Sequence, residues 1–451
     1  MYKGLSLDQA PPEDIPFRFF LSAPIFGILA GLMIAFYGLD IFTSNWDFAT
    51  IGLTHLITLG WLAMIMFGAM YQMIPVLVGG SVKFVPAARF VHAVFLLGVL
   101  LLVLGFACLG SAYSHLANDL FYVAGWSLAA SITVFFLQVL VAVLNVSAKD
   151  RPTIPAMRIS IVSLAITMVL GILFVGNFSG WWVLPFGRVS LMGTHITFGL
   201  FGWVGTLIMG VGFHMIPMFY LTPTFPIETA HRILRLHTIS LVLIPLVLLT
   251  NLSELMVIVA AAPMVIGSGL FMAQIFRLIH ERKRKIVDST LRFWQSGIIF
   301  LPISVLVILV HLLYYLPFGA VSFGIFFIVG TALTLTNGML FKIAPFIIWF
   351  HRYSNLIGIA EVPLLKDIVD DRTARKQWKL VTLSIVILGL AVVLQEDILV
   401  RTGGLLFAIS SIMLQYILVK GYRLPEAELT PEQEKMMEMM SAAMQMTGKN
   451  T

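Results

Sequence analysis

Three histidines, His55, His195 and His311, lie inside long apolar stretches of this chain. Neutral imidazole is the commonest nitrogen ligand for haem iron, copper and zinc. An ionisable group surrounded by hydrocarbon is also a functional candidate by default. We therefore predict that these side chains ligate a metal ion or a haem. In the alternative interpretation, each imidazole donates a hydrogen bond to a neighbouring carbonyl and binds nothing.

The composition places these histidines in a membrane. Apolar residues make up 59% of the chain and charged residues only 11%, which excludes a water-soluble globular protein. The single cysteine, Cys108, excludes a disulfide, a thiolate cluster and a covalent haem attachment. The fold class is an all-α membrane protein. Twelve apolar runs are long enough to cross a bilayer, and they predict helices 1 to 12 near 18–41, 50–79, 88–110, 120–147, 156–177, 190–220, 234–251, 253–278, 293–316, 320–349, 380–396 and 402–421.

Helices 2, 6 and 10 share a repeated sequence pattern. Each carries two glycines at the same spacing, followed by a proline that ends a three-residue apolar motif. In chain order the shared residues are Gly60-Trp61, Gly68 and Met73-Ile74-Pro75, then Gly202-Trp203, Gly210 and Met215-Ile216-Pro217, and finally Gly330, Gly338 and Ile343-Ala344-Pro345. Three other apolar runs lie between successive copies, so we predict three pseudo-repeats of four helices.

The distribution of Lys and Arg predicts the orientation of the chain. With a cytoplasmic N-terminus, all of the 28 Lys and Arg residues except Arg188 and Arg401 lie on the cytoplasmic side. We expect a protein of the inner, cytoplasmic membrane with both termini in the cytoplasm. The expected parts are a cytoplasmic segment at 1–17, the twelve-helix membrane domain at 18–421 and a cytoplasmic methionine-rich tail at 422–451. The net charge of +6 then reflects this topology and does not indicate nucleic-acid binding.

The orientation also predicts the depth of the three histidines. His55 and His195 follow the outer ends of helices 2 and 6 by about five residues, and His311 precedes the outer end of helix 9 by about as many, so all three lie ~8 Å below the outer surface. The repeats align with an offset of 142 residues, whereas His55 and His195 are 140 residues apart. The two rings are therefore expected to point to different faces of their helices.

Two further groups have competing interpretations. Gln72, His214 and Lys342 each lie three residues before a repeated proline. They could form a ring that passes protons, but polar side chains near helix ends often extend toward the headgroups, and we favour that interpretation. In the tail, Thr430, Pro431 and Gln433 predict a capped amphipathic helix. Its methionines are either packing or membrane-surface residues or soft copper(I) ligands.

This architecture resembles subunit I of the haem-copper oxidase superfamily, which includes cytochrome c oxidases and nitric oxide reductases. The common features are twelve helices with both ends inside, three four-helix repeats, and histidines near the outer ends of helices 2 and 6. The resemblance implies that His55 is an axial ligand of a haem b and that His195 ligates a non-haem metal such as copper. It also implies that Arg401, before helix 12, holds the haem propionates, and Arg188 is a neighbouring cation without an assigned counterpart.

The sequence departs from the family pattern at several positions. The histidines expected on helices 7 and 10 are absent, and Gly199 stands four residues after His195, where oxygen-reducing members carry a tyrosine. The resemblance therefore implies a divergent member without a complete haem-copper centre, in which His311 is a substitute second haem ligand. Such a protein moves electrons or reacts with a diatomic gas such as O2 or NO, and it receives electrons from an electron-donor protein or a partner membrane subunit.

Two other functions remain open at this point. The chain could be a copper-handling or other metal-handling membrane protein or transporter, which uses the histidines and the methionine-rich tail as ligands. It could also be a structural or assembly subunit. An optical spectrum of the purified protein, oxidised and reduced, distinguishes the haem hypothesis from both.

Overall fold

The computed structural model describes residues 11–79, 82–109, 111–146, 151–316, 318–425, 430–431 and 433. This part of the chain is helical and contains no strand. Twelve helices are long and apolar enough to cross a membrane, so the chain is an integral membrane protein. They are α1 (Asp14–Phe42), α2 (Phe48–Val76), α3 (Pro86–Leu109), α4 (Ser114–Leu144), α5 (Thr153–Phe178), α6 (Arg188–Tyr220), α7 (Ile227–Leu249), α8 (Glu254–His280), α9 (Ser289–Tyr314), α10 (Gly319–Leu356), α11 (Asp371–Leu394) and α12 (Asp397–Tyr422).

Some helices begin earlier than the apolar runs indicate. The helix expected from 380 begins at Asp371, because the Asp370 carboxylate accepts hydrogen bonds from the backbone N–H groups of Arg372, at 3.3 Å, and Thr373, at 3.0 Å. This N-cap starts α11 within a charged segment that a search for apolar runs leaves out. The first helix begins at Asp14, so the end of the segment expected at 1–17 belongs to α1.

The connection between α10 and α11 contains a short helix, Leu365–Ile368, and contacts the beginning of the tail. The expected capping box of the tail is present. The backbone N–H of Thr430 donates to Gln433 Oε1 at 2.9 Å, and the Gln433 N–H donates to Thr430 Oγ1 at 3.4 Å. The Gln433 side-chain amide also donates to the carbonyl of Ile359 at 2.9 Å. The methionines of the tail lie outside the described residues.

Helices α2, α6 and α10, which carry the repeated sequence, form the interior of the bundle. The buried share of the most apolar stretch is 78% in α2, 72% in α10 and 56% in α6, but only 22% in α8 and α9. The first and last membrane helices, α1 and α12, pack along each other and bring the two ends of the membrane domain together. The repeated sequence pattern therefore lies on the three helices that form the core of the bundle.

The repeated glycines make room for side chains of the preceding helix. A Cβ atom added at Gly60 of α2 would lie 2.4 Å from Cγ of Phe26 on α1, closer than packed atoms approach. The same relation holds for the pairs Gly68–Phe19, Gly202–Ser163, Gly210–Ala156, Gly330–Phe300 and Gly338–Phe293. The three interior helices therefore use the same contact with α1, α5 and α9, which explains why the glycines recur.

Each interior helix also contains a π-helical segment that the sequence did not predict. The segments are Leu56–Ala63 in α2, Thr197–Gly205 in α6 and Ile325–Leu333 in α10, and the first two both contact the third. Threonine hydroxyls bond the carbonyls of the widened turns, as between Thr206 and Phe201 at 3.0 Å. Such segments are frequent at functional sites, and here they begin just after His55 and His195.

The crossing of α1 and α12 gives a prediction about stability. A Cβ atom added at Gly31 would lie 2.5 Å from the backbone nitrogen of Ala408, which cannot move without shifting α12. We expect Gly31→Ala to lower the free energy of unfolding by about 1–3 kcal/mol, as overpacking usually does. Thermal denaturation in detergent measures this. The control is Gly269→Ala on α8, where nothing lies within 4 Å. Equal melting temperatures for the two variants would contradict the proposed close approach.

Candidate functional site

His55 lies in α2 at the last residue before the π-helical segment. Its Nδ1 is 2.8 Å from the carbonyl oxygen of Ile51. Because a carbonyl can only accept, Nδ1 carries the proton and donates, which leaves the lone pair of Nε2 free. The ring also stacks on Phe106 of α3, with 5.9 Å between the ring centroids. A ring held through one nitrogen by a backbone carbonyl, with the other nitrogen free, is the usual arrangement of a metal-ligating histidine.

His195 lies in α6, two residues before the second π-helical segment. Its ring packs beside Gly171 of α5, where a Cβ atom would lie 3.5 Å from His195 Cε1, an ordinary packing distance. Phe174 approaches the ring edge-to-face at 6.0 Å. The buried Nδ1 atom of His195 makes no hydrogen bond of ordinary geometry, although the backbone of Thr167 lies close enough to interact with the ring. An unpaired buried nitrogen is costly, and its presence in a native fold calls for a functional explanation.

The structure brings these two histidines together. The imidazoles of His55 and His195 lie close enough for a charge on one to repel a charge on the other. Their different places in the repeat help to explain this. His195 lies two residues away from the position equivalent to His55, and two residues correspond to a rotation of roughly 200° around a helix axis. The two side chains therefore leave their helices on different faces.

His311 lies at a different place, in the last turn of α9, next to the connection to α10. Its Nδ1 donates to the carbonyl of Leu316 at 2.8 Å, and its ring contacts Tyr315, with 5.7 Å between centroids. Gly319 lies directly against the ring, because a Cβ atom there would be 2.6 Å from His311 Cγ. All of these contacts belong to the α9–α10 turn. They do not join His311 to the pair formed by His55 and His195.

The two arginines expected to hold anionic groups have different surroundings. Arg401 is occupied, since its Nε donates to Asp397 at 2.6 Å and its Nη1 donates to the carbonyls of Ala35, at 3.0 Å, and Phe36, at 2.6 Å. It ties α12 to the last turns of α1. Its guanidinium therefore has a structural role that the sequence did not reveal.

Arg188, at the start of α6, lies nearer to the histidine pair. Its Nη2 donates to Asn177 Oδ1 at 3.0 Å, and its guanidinium lies 5.7 Å from the ring centre of Phe178. Phe178 contacts Phe106 with 5.6 Å between centroids, and Phe106 stacks on His55. Arg188 is thus connected to the site through two phenylalanines, which makes it the better placed of the two arginines to meet an anionic group there.

Gln72, His214 and Lys342, for which a proton-passing ring is the less favoured interpretation, do not form a ring. Lys342 Nζ donates to Asp288 Oδ2 at 2.6 Å, while His214 is exposed and both amide atoms of the buried Gln72 lack hydrogen-bond partners. The other oxygen of Asp288 accepts from the Tyr220 hydroxyl at 3.0 Å. The sequence analysis missed Asp288. Its position before Ser289 could have predicted the N-cap of α9, which the structure contains. The sequence carries no signal for its ion pair with Lys342 on α10.

The number of donors limits the chemistry of the site. Among the described residues, no group of three or more His, Cys, Asp and Glu side chains could hold a metal ion. Zinc sites need three or four protein ligands, whereas a haem iron needs only one or two axial ligands from the protein. Two imidazoles, each with an uncommitted nitrogen and surrounded by phenylalanines, therefore fit a haem, or a metal ion of low coordination number, better than a zinc centre.

Comparison with known proteins does not assign this chain to a family. No protein-family model matches the chain, and no curated protein matches it significantly. The chemical argument for the site consequently depends on its own residues.

Proposed function

We propose that this chain is a haem-binding redox membrane protein, with one haem b held between His55 and His195. The observation that carries the proposal is that the imidazoles of His55 on α2 and His195 on α6 lie within electrostatic range of each other, the first with a free Nε2 and the second with a buried Nδ1 that makes no hydrogen bond. Bound there, haem b supplies one-electron chemistry and the binding of diatomic gases. This assignment replaces His311, the expected second ligand, by His195.

The surroundings of the pair support a redox role. Phe106 contacts the ring of His55 and Phe174 that of His195, and apolar surroundings of an iron centre are one of the factors that set its reduction potential. Arg188 is the cation that would meet a propionate, and Arg401 stabilises the α1–α12 junction. The proposed activity is electron transfer or O2 or NO chemistry without a complete haem-copper centre, with electrons supplied by a donor protein or a partner membrane subunit.

The architecture proposed for this function is that of the haem-copper oxidase subunit I, with three four-helix pseudo-repeats. Two observations support it. The glycines of α2, α6 and α10 make equivalent contacts with α1, α5 and α9, and each of the three interior helices carries a π-helical segment at the same place in the repeat. The paired histidines of α7 and the two haem-ligating histidines of α10 that the family carries have no counterpart here, which keeps the proposal to a divergent, non-pumping member.

The proposed location is the inner, cytoplasmic membrane with both termini in the cytoplasm. We expect a fluorescent protein fused to the C-terminus to fluoresce in cells, because it stays in the cytoplasm. We expect alkaline phosphatase inserted at Val183, in the exposed turn between α5 and α6, to be active, because that turn lies outside. The opposite pair of results would reverse the orientation and place the histidine pair near the cytoplasmic surface.

The direct test of the proposed function is an optical spectrum of the purified protein, oxidised and reduced. A Soret band that shifts on reduction, with a pyridine haemochrome of the b type, supports the proposal. A colourless preparation without iron, obtained from cells supplied with a haem precursor, rejects it.

A second candidate function is copper handling. Two half-buried imidazoles with no third ligand among the described residues suit a copper(I) ion of low coordination number, which needs much less space than a porphyrin. Metal analysis separates the two candidates. Copper bound in a fixed ratio to the protein, without haem and dependent on His55 and His195, would select copper handling.

A further inference from the structure

A second candidate site lies in the other half of the membrane. A cavity of about 50 Å³ is present between α2, α6 and α10, toward the ends of these helices that lie near Lys342. Residues at equivalent places in the repeat form its wall, for example Met66, Ile208 and Thr336. The cavity therefore lies where the three interior helices meet. None of the three candidate histidines belongs to its lining.

Methionines dominate the chemistry of this cavity. Three of them come from one face of α2, with a spacing of four and three residues, and α5 and α10 contribute one each. All five are buried, with at most 7% of any of them exposed. They are Met66, Met70, Met73, Met157 and Met339.

The wall offers thioether sulfur and hardly any other donor. The hydroxyl of Thr336 donates to the carbonyls of Ala332, at 3.0 Å, and Leu333, at 2.9 Å, within its own helix. The indole N–H of Trp294 donates to the Sδ atom of Met339 at 3.2 Å, so it too is engaged. The rest of the lining is aliphatic. A hard cation needs oxygen ligands and finds none here, whereas thioethers select soft ions such as copper(I).

We propose that this cavity binds one soft monovalent cation, Cu(I) or Ag(I), through methionine sulfurs. No acidic side chain belongs to the lining, so the charge of the ion is not neutralised. The cost of burying an ion rises steeply with its charge, which favours a monovalent ion over a divalent one. Methionines also fill irregular gaps in cores, but here five of them line a single space that is large enough for an ion.

The methionine site is separate from the histidine pair. Met66 follows His55 by eleven residues on α2, which corresponds to roughly 16 Å along a helix. Binding at the two sites can therefore be separated by substitution. The proposal does not depend on the presence of a haem at His55 and His195.

The experiment is a titration of the purified full-length protein in detergent with Ag(I), in competition with a chromophoric chelator. We expect the double variant Met70→Leu/Met339→Leu to bind Ag(I) at least about tenfold more weakly than the wild type. Leucine is close to methionine in volume, so the fold should tolerate these changes. Methionines outside the cavity are the same in the wild type and in the double variant, so any Ag(I) that they bind is the same in both proteins.

The matched control is Met64→Leu. Met64 is fully buried on the same helix but does not line the cavity, so we expect its affinity for Ag(I) to equal that of the wild type. The proposal is overturned if the double variant keeps the wild-type affinity, if Met64→Leu loses as much as the double variant, or if X-ray absorption of the bound ion shows nitrogen ligands in place of sulfur. Sulfur ligation that weakens only with the cavity methionines supports it.

Discussion

His55→Ala and His195→Ala are each expected to lower the haem content of the purified protein by at least about tenfold, while His311→Ala retains it. Loss of residues that only orient a metal ligand already weakens binding by about 10–100-fold, so loss of a ligand should cost at least as much. The contrast with His311 follows from the structure, because the contacts of that ring belong to the α9–α10 turn. The Soret absorbance relative to protein concentration measures the effect.

The control for this experiment is His237→Ala. His237 is buried and also bonds the carbonyl four residues earlier, that of Ile233, at 3.1 Å, but it lies on α7, outside the pair. It therefore reports what the loss of a buried imidazole does to the fold alone. Added imidazole should restore the Soret band in His55→Gly, since the free molecule can fill the vacated space. If His311→Ala loses the haem and His195→Ala keeps it, the assignment to the pair is wrong.

The second large effect is expected at the ion pair between α9 and α10. Lys342 and Asp288 are 16% and 12% exposed and lie 2.6 Å apart. Lys342→Met removes one partner and leaves a carboxylate charged in a poorly solvated place, which typically costs 3–5 kcal/mol. We therefore expect a loss of about 3 kcal/mol or more in the free energy of unfolding, measured by denaturation of the protein in detergent.

Two variants make this prediction specific. Lys342→Met/Asp288→Asn removes both charges and should recover most of the lost stability, because no uncompensated charge remains and Tyr220 keeps a hydrogen-bond acceptor. Arg375→Met breaks an ion pair whose partners, Arg375 and Asp371, are 41% and 37% exposed, and it should cost about 0–1 kcal/mol. Similar losses for Lys342→Met and Arg375→Met would mean that burial does not govern the strength of the Lys342 pair.

The membrane fold follows directly from the sequence. An apolar run of sufficient length must form a helix in lipid, because its backbone groups find no water to bond, and this requirement is local to each run. The number of membrane helices could therefore be predicted one run at a time. The ends of the helices could not, since Asp370 starts α11 in a charged segment where hydropathy carries no signal.

The π-helical segments are a second feature that the sequence did not predict. Leu56–Ala63 contains residues as apolar as those of any α-helix in the bundle, and no residue type marks the wider turn. The close packing of Gly60 against Phe26 and of Gly202 against Ser163 accompanies these segments, and such contacts exist only after the helices have assembled.

The sequence by itself determined that His55, His195 and His311 lie in helices able to span a membrane, and it predicted a similar depth for them because depth depends on distance along a helix. Only the tertiary structure decided which of them meet. His195 lies within electrostatic range of His55, while His311 bonds Leu316, Arg401 bonds the end of α1, and Lys342 pairs with Asp288. The physical reason is that a contact between two side chains depends on which helices are neighbours and on how each is rotated about its axis. Neither quantity is encoded in the hydropathy of a single run.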